Sequence, residues 1–172
     1  MIARRLCAVA LLLSAGSGLS CRYGTSGSLP AGIRTVGVTM LRNETRVPGL
    51  EGEVTRAIVS ALQSQGRLKV VYAEGEPDLV LVGRVESYVK KLSRTDRYGD
   101  AVSFAVVIGA RVSVRRADGE FLFKNLRITN RTSHPESGSV DLGRGQRESH
   151  GRNEAVRDLG RSVARSIVEQ GW

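Results

Sequence analysis

The fold is decided by the stretch Ala101-Val-Ser-Phe-Ala-Val-Val-Ile-Gly-Ala-Arg-Val-Ser-Val-Arg115. Apolar residues occupy every second position from Val102 to Val114, which is the period of a β-strand with one buried face. At about 3.3 Å per residue such a strand reaches about 50 Å, so we expect strong twist or a β-bulge, with Gly109 as a candidate position. The stretch therefore predicts one long, half-buried strand.

The segments on either side are predicted to be the partners of this strand. On its C-terminal side, Ala117-Asp118-Gly119-Glu120 is a hairpin turn, and residues 121–131 form the returning strand. On its N-terminal side, a polar connection at 94–100 follows a longer strand at 78–91. One face of that strand carries four apolar residues: Leu79, Leu81, Val85 and Val89. These three strands predict antiparallel hairpins.

The N-terminal part of the chain alternates strand and helix patterns. Residues 33–40 predict a first strand, residues 41–47 a loop, and residues 68–72 a short strand. Between them, a helix opens near Pro48 and ends at Gly66. Its apolar residues recur at helical spacing: Leu50, Val54, Ala57, Ile58, Ala61 and Leu62.

The C-terminal part predicts a loop and a second helix. Residues 133–151 contain several glycines and many charges, which is typical of a loop. Asn153 is a suitable cap for the final helix, whose apolar stripe includes Val156, Leu159 and Val163. The predicted order is β-α-β-β-β-β-α. It indicates an α+β domain at 32–172, with both helices on one face of a four- to five-stranded, mixed but mainly antiparallel sheet.

The other face of the long strand is mixed rather than fully polar. Small, apolar and charged residues follow one another along it: Ser103, Ala105, Val107, Gly109, Arg111, Ser113 and Arg115. A sheet face of this kind either docks against a partner or is an ordinary solvated face with a few aliphatic residues. The sequence leaves both interpretations open.

The first twenty residues are typical of a secretory signal peptide. Arg4 and Arg5 form a basic start, and the apolar run at 6–13 is too short to span a bilayer. Gly18-Leu19-Ser20-Cys21 resembles the lipobox of bacterial lipoproteins, in which the cysteine carries the lipid. The alternative is an ordinary signal with a cysteine at its boundary by chance. We expect Cys21 to be lipidated, residues 21–31 to be a tether, and Arg22 to be compatible with outer-membrane delivery.

The composition limits the chemistry of the mature chain. The full sequence contains 26 Lys plus Arg and 17 Asp plus Glu, which give a formal charge of +9. This charge favours an anionic partner. Cys7 leaves with the signal, so no thiol remains for a disulfide, a nucleophile or a zinc site. His134 and His150 lie in the predicted loop without metal-ligand spacing. We expect no enzyme activity, no metal, no cofactor and no nucleic-acid partner.

Basic residues cluster where the predicted strands end. Two clusters fall at opposite ends of the sheet if the strands are antiparallel: Lys90, Lys91, Arg94 and Arg97 in one, Arg115 and Arg116 in the other. Arginine pairs bidentately with phosphate, and lysine acts as a point charge. These six residues are candidates for binding phosphate groups. The alternative interpretation is a pair of solvated hairpin ends.

The succession of segments along the mature chain resembles the lipopolysaccharide-assembly lipoprotein family of the LptE type. The residues that carry the resemblance are Cys21-Arg22-Tyr23-Gly24, the run 29–38, Asn43-Glu44-Thr45, Pro48-Gly49-Leu50-Glu51, Val54–Ile58, Asp78–Val85 and the closing segment 155–172. No single motif among them is diagnostic. The resemblance covers nearly the whole mature chain, in order.

The resemblance implies a fold, a location and a role. The fold is two helices on one face of a sheet, and the location is the periplasmic side of the outer membrane. The implied role is to plug and stabilise the large β-barrel that inserts lipopolysaccharide, to assist its transport, and to perform no catalysis. The six basic residues would then contact lipopolysaccharide phosphates. The alternative is another envelope lipoprotein, such as a secretion-pore subunit or an auxiliary subunit of a lipid transporter.

Overall fold

The computed structural model describes residues 29, 32–71, 75–95, 101–135 and 144–169. The predicted signal peptide, Cys21, Arg97 and nearly all of the tether lie outside the described residues. No helix in the described part is long and apolar enough to cross a membrane. The elements, in chain order, are β1 (Thr35–Val38), β2 (Arg42–Asn43), α1 (Leu50–Gln65), β3 (Lys69–Val71), β4 (Leu79–Thr95), β5 (Ala101–Arg116), β6 (Phe121–Pro135) and α2 (Arg144–Glu169).

The strands form one mixed sheet in the order β3-β1-β4-β5-β6, with β2 also paired to β4. The pairs β1–β3, β1–β4 and β2–β4 are parallel, and β4–β5 and β5–β6 are antiparallel. This confirms the predicted α+β class and the mixed sheet, in which the parallel pairs all lie in the N-terminal part. The predicted loop at 41–47 was wrong in part, because it contains β2. Two residues are too few to give a periodic signal.

Both helices pack on one face of the sheet. Leu50, Val54 and Ile58 of α1 are fully buried, as the apolar stripe predicts, and so are Leu159 and Val163 of α2. They share one core with the inward residues of β4 and β5. At about 25 cal/mol per Å² of buried apolar area, such residues supply the main stabilising term. The opposite sheet face, called the outer face below, is therefore left without a helical layer.

Two glycines set the geometry of the helices. Gly66 ends α1 in the left-handed region at φ 65°, and its N–H donates to the carbonyl of Gln63 at 3.2 Å. Gly160 of α2 lies against the backbone of α1, where a Cβ would stand 2.7 Å from the carbonyl carbon and oxygen of Ala57. The two helices thus approach so closely that position 160 has no room for a side chain.

A β-bulge in β4 shifts its two faces. The register passes from Val85 paired with Ala110 to Ser87 paired with Gly109, which leaves Glu86 as the extra residue. We expected an irregularity in β5, at Gly109. The bulge lies instead in the partner strand β4, next to Ser87, which pairs with Gly109. Because one extra residue reverses the alternation, Val89 is 40% exposed and Tyr88 packs against the core. The predicted grouping of Val89 with Leu79, Leu81 and Val85 on one face was therefore wrong.

The predicted loop at 133–151 was wrong at both ends. β6 continues to Pro135, and α2 begins at Arg144 rather than at Asn153. Residues 144–151 contain Arg, Gln and Glu, which favour helix, and these residue types outweigh the two glycines there. On β6, Asn130 Nδ2 donates to Ser162 Oγ and Thr132 Oγ1 donates to Asp158 Oδ2, each at 3.0 Å. Polar residues thus continue the β6 contact with α2. Residues 136–143 lie outside the described part.

Candidate functional site

Four arginines stand in one row across the outer face. Arg42 of β2 is the register partner of Arg84, Arg84 of β4 is that of Arg111, and Arg111 of β5 is that of Arg127 on β6. Neighbouring strands lie about 4.8 Å apart, so these guanidinium groups start from adjacent backbone positions. Like charges directly opposite each other destabilise a sheet. The row, called the arginine row below, therefore requires compensating charge.

Glu86, the bulged residue of β4, supplies most of that compensation. Its Oε1 accepts from Arg111 Nε at 2.5 Å and from Arg84 Nε at 3.2 Å. Its Oε2 accepts from Arg127 Nε at 3.1 Å. The Glu86 side chain is only 16% exposed, whereas that of Arg127 is 64% exposed. One carboxylate thus holds three guanidinium groups against the sheet.

The contacts around Glu86 change its acidity. The hydrogen bond from Arg111 is the largest cause that lowers the pKa of Glu86, from 4.5 to about 2, and the bonds from Arg127 and Arg84 act in the same direction. Burial opposes this change. The same pairing raises the pKa of Arg111. Glu86 is therefore a carboxylate at any physiological pH.

The row is only partly neutralised. Glu44 Oε2 lies 3.3 Å from Arg84 Nε and is the second carboxylate at the row. Within the described residues, the guanidinium of Arg42 meets no carboxylate. Four arginines with two carboxylates leave an excess of positive charge on the outer face. That excess is available to an anionic group.

A cleft of about 300 Å³ opens beside the row. Arg42 and Glu44 form one wall, and Phe121 and Lys124 of β6 form the other. The floor includes Ser113, which is 9% exposed and whose Oγ accepts from the N–H of Asn125 at 2.9 Å. β6 bulges beside the cleft at Asn125, which has φ 56° and lies opposite the register shift between Val112 and Val114 of β5.

One of the two predicted basic clusters lies at the far end of β4. Lys90, Lys91 and Arg94 are all exposed, and Arg97 lies outside the described residues. Lys90 Nζ stands 4.7 Å from the centre of the Phe104 ring. Lys91 pairs with Ala105, so this end is about six residues, or about 20 Å, from the arginine row. Binding of phosphate by this cluster stays a prediction.

The other predicted cluster lies at the opposite end of the sheet, as expected for antiparallel strands. Arg115 pairs with Val80 and Arg116 with Leu79. Arg115 is exposed, whereas Arg116 Nη1 lies 3.7 Å from Glu120 Oε2. The two predicted clusters therefore stay apart, and the arginine row lies between them. A role of Arg115 and Arg116 in phosphate binding also stays a prediction.

The arginine row was missed at the sequence level. The alternation in the long strand places Arg111 on the face away from the core, but nothing in the sequence joins it to Arg42, Arg84 or Arg127. The row depends on pairing between residues 42, 84, 111 and 127, and single-strand patterns do not give that register. The extra residue at Glu86 adds a shift that alternation does not reveal.

The chemistry of the outer face is electrostatic and hydrogen-bonding. Three guanidinium groups, one ammonium and a hydroxyl line the cleft together with one carboxylate, Glu44, which pairs with Arg84. The lining therefore carries a net positive charge that suits an anionic group. In the described ranges, no group of three or more His, Cys, Asp or Glu side chains is placed to hold a metal ion.

Comparisons with known proteins identify the fold and the family separately. No curated protein matches the sequence. The lipoprotein B structure from Nitrosomonas europaea superposes at a TM-score of 0.57, with 14% identity over 84% of this chain and 87% of that one. The rare lipoprotein B structure from Shewanella oneidensis superposes at a TM-score of 0.52, with 14% identity over 78% of this chain and 93% of that one.

A third solved structure shares the fold in an oligomer. The PelC dodecamer from Paraburkholderia phytofirmans gives a TM-score of 0.51, with 20% identity over 80% of this chain and 91% of that one. At these identities the three structures support the fold alone. The family comes from the sequence, since the model of the lipopolysaccharide-assembly family LptE matches residues 33–170. That match includes every element of the described fold, and the chain belongs to the LptE lipopolysaccharide-assembly family.

Proposed function

We propose that this protein is a lipid-anchored subunit of the outer-membrane machinery that assembles lipopolysaccharide, where it plugs and stabilises a large β-barrel partner. The main support is the match of the LptE family model to residues 33–170 of this chain. In this proposal Cys21 carries the lipid, and the domain stands on the periplasmic side of the outer membrane. The protein performs no catalysis and acts by binding.

The layered fold supports a role in docking. The two helices cover one face of the sheet, and the outer face carries the partly neutralised arginine row instead of a second layer. A surface with this much unbalanced charge is unlike a buried core face and suits contact with charged partners. Such a subunit contributes surface and charge rather than reacting groups.

The exposed cations at the far end of β4 are the proposed contact for lipopolysaccharide phosphates. Lys90, Lys91 and Arg94 are exposed, and Arg97 follows them closely in the sequence. Arg115 and Arg116 are a second candidate contact at the opposite end, where Arg116 already has Glu120 as a partner. Because exposed cations attract phosphates mainly through screened charge, their contribution falls as salt rises.

Affinity purification from solubilised outer membranes tests the proposal. A tagged full-length chain is expected to recover one large β-barrel protein in equal amount, together with lipopolysaccharide. A matched chain with Cys21→Ala keeps the domain and removes the proposed lipid site. It is expected to lose membrane attachment. Recovery of no large barrel protein by the lipidated chain would refute the barrel role.

The stoichiometry separates this proposal from its alternative, another envelope lipoprotein that works in a ring. The fold is shared with the dodecameric PelC structure, so the ring is a concrete rival. Mass measurement of the purified complex decides between them. One copy per barrel supports the plug, and a many-copy assembly without a barrel supports the alternative.

A further inference from the structure

The cleft beside the arginine row brings together two cations that no carboxylate neutralises. In the described part of the chain, neither Arg42 nor Lys124 forms an ion pair with an acidic group, and Lys124 Nζ stands 5.2 Å from the centre of the Phe121 ring. These two cations stand on opposite walls of the cleft. Arg84 and Arg111 lie between these two cations in the sheet. Arg84 pairs with both Glu86 and Glu44, and Arg111 pairs with Glu86.

The cleft is preorganised by contacts that do not fill it. Glu86 fixes the planes of Arg84 and Arg111, so these side chains lose little freedom when they bind a ligand. Cation–π contact with Phe121 likewise holds the Lys124 ammonium on its wall. The Ser113 hydroxyl accepts from Asn125 and keeps its own O–H to donate. Donors thus approach one volume from both walls and from the floor, and the Glu44 carboxylate on the Arg42 wall is paired with Arg84 Nε at 3.3 Å.

The number of unpaired cations indicates the kind of anion. A phosphate monoester carries about 1.5 to 2 negative charges at pH 7 and three acceptor oxygens, whereas a carboxylate carries one charge and two oxygens. Two cations without partners, with further guanidinium donors between them, match the phosphate. The concave shape favours a small group over the flat surface of a folded acidic protein.

We propose that the cleft between Arg42 and Lys124 is a binding site for a phosphate monoester group. The site is distinct from the strand-end cations, and it does not depend on the barrel partner. Arg42 and Lys124 make the charge contacts, Arg84 and Arg111 donate from the side of the row, and Ser113 donates from the floor. Glu86 is a positioning residue that holds the row and does not touch the ligand.

Binding measurements on the full-length protein in a nonionic detergent test this site. The probes are inorganic phosphate, a bisphosphorylated glucosamine glycolipid, and the same glycolipid after removal of its phosphates. The test variant is Arg42→Gln with Lys124→Gln. The control, Arg46→Gln with Arg157→Gln, removes the same charge at exposed positions outside the cleft. Thermal denaturation of both variants verifies that they are folded.

The test variant is expected to bind the phosphorylated glycolipid at least about tenfold more weakly than the wild type, while the control stays within about twofold. The wild type is expected to prefer the phosphorylated glycolipid over its dephosphorylated form. If the test variant loses affinity equally for inorganic phosphate and for the glycolipid, the site is assigned to free phosphate. If it loses affinity for the glycolipid alone, the site is assigned to a phosphorylated headgroup. Either result supports a phosphate site.

Two results would overturn the inference. One is equal affinity of the test and control variants for both phosphate probes. The other is unchanged phosphate affinity combined with loss of a co-purifying protein from the test variant, which would assign the cleft to an acidic protein surface. Failure of the barrel proposal is seen separately, in the wild-type chain, when no barrel is recovered.

Discussion

Arg84 and Arg111 are direct cross-strand neighbours on the outer face, and both guanidinium groups contact the same oxygen of Glu86. Two like charges in this position repel each other unless a counter-charge lies between them. The bulge at residue 86 places the counter-charge there, because it adds one residue to β4 beside the pair. The stability of the outer face therefore depends mainly on the Glu86 carboxylate, with Glu44 as a second partner of Arg84.

Substitution Glu86→Gln is expected to lower the thermal midpoint at pH 7 by several degrees. Three guanidinium groups lose their shared counter-charge, while the size of the side chain is kept. Glu120→Gln is the control, because the Glu120 side chain is 69% exposed and lies 3.7 Å from Arg116. Its effect is expected to be small, as for other exposed pairs.

The same substitution predicts a specific dependence on pH. The pKa of Glu86 is lowered from 4.5 to about 2 in the folded protein, chiefly by the hydrogen bond from Arg111. A lowered pKa means that the carboxylate contributes its full stability above about pH 4.5 and loses it as the pH falls towards 2. The difference between wild type and Glu86→Gln in urea denaturation is expected to shrink over that range. A constant difference from pH 7 to 2.5 would contradict the assignment.

Charge reversal at Lys90, Lys91, Arg94 and Arg97 is expected to weaken lipopolysaccharide binding. The described members of this cluster are exposed, so the loss is expected to be larger at low salt than at 0.15 M, where the screening length is about 8 Å. The test variant carries Lys91→Glu and Arg94→Glu. The control variant carries Arg56→Glu and Arg157→Glu, which reverse the same number of charges at exposed positions on the helices. Equal affinities of the two pairs would reject the cluster.

Substitution Gly160→Ala is expected to destabilise the domain by about 1–3 kcal/mol, because the new Cβ overlaps backbone atoms of Ala57 and forces α1 and α2 apart. Gly52→Ala is the matched control in α1. A Cβ there meets only the end of the flexible Arg56 side chain, at 3.3 Å. The control is expected to stabilise by up to about 1 kcal/mol through helix propensity. Urea denaturation of both variants measures the two opposite signs.

The sequence predicts those parts of this fold that repeat within one segment. The stripe from Leu50 to Leu62 gives α1, and the alternation from Val102 to Val114 gives β5, because burial of one face leaves a periodic pattern. What it does not predict depends on register between segments. The bulge at Glu86, the short strand β2 and the arginine row arise only when β2, β4, β5 and β6 are paired.

The same limit explains the candidate site. Runs such as Lys90-Lys91 and Arg115-Arg116 are visible in the sequence because their members are adjacent. Arg42 and Lys124, on opposite walls of the cleft, are more than 80 positions apart in the chain and are joined only by the sheet. Local charge density thus identifies exposed strand ends, and long-range pairing identifies the concave site.

The ion pair between α1 and α2 gives the last prediction. Arg152 Nη2 lies 2.6 Å from Glu53 Oε1, and the two side chains are 33% and 23% exposed. In the described structure, Glu53 Oε2 and Arg152 Nε are buried without hydrogen-bond partners. A pair that is partly desolvated and only half satisfied contributes little net stability, yet removal of one partner leaves a charge uncompensated.

Glu53→Leu and Arg152→Met are therefore each expected to destabilise the domain by about 1–3 kcal/mol, whereas the double variant is expected to lie within about 1 kcal/mol of the wild type. Urea denaturation of the four proteins gives the coupling energy of the pair. Additive losses in the double variant would show that each side chain stabilises the helix contact by its own packing. In that case Arg152 acts through its apolar stem along α1, and the pairing of its charge with Glu53 is incidental.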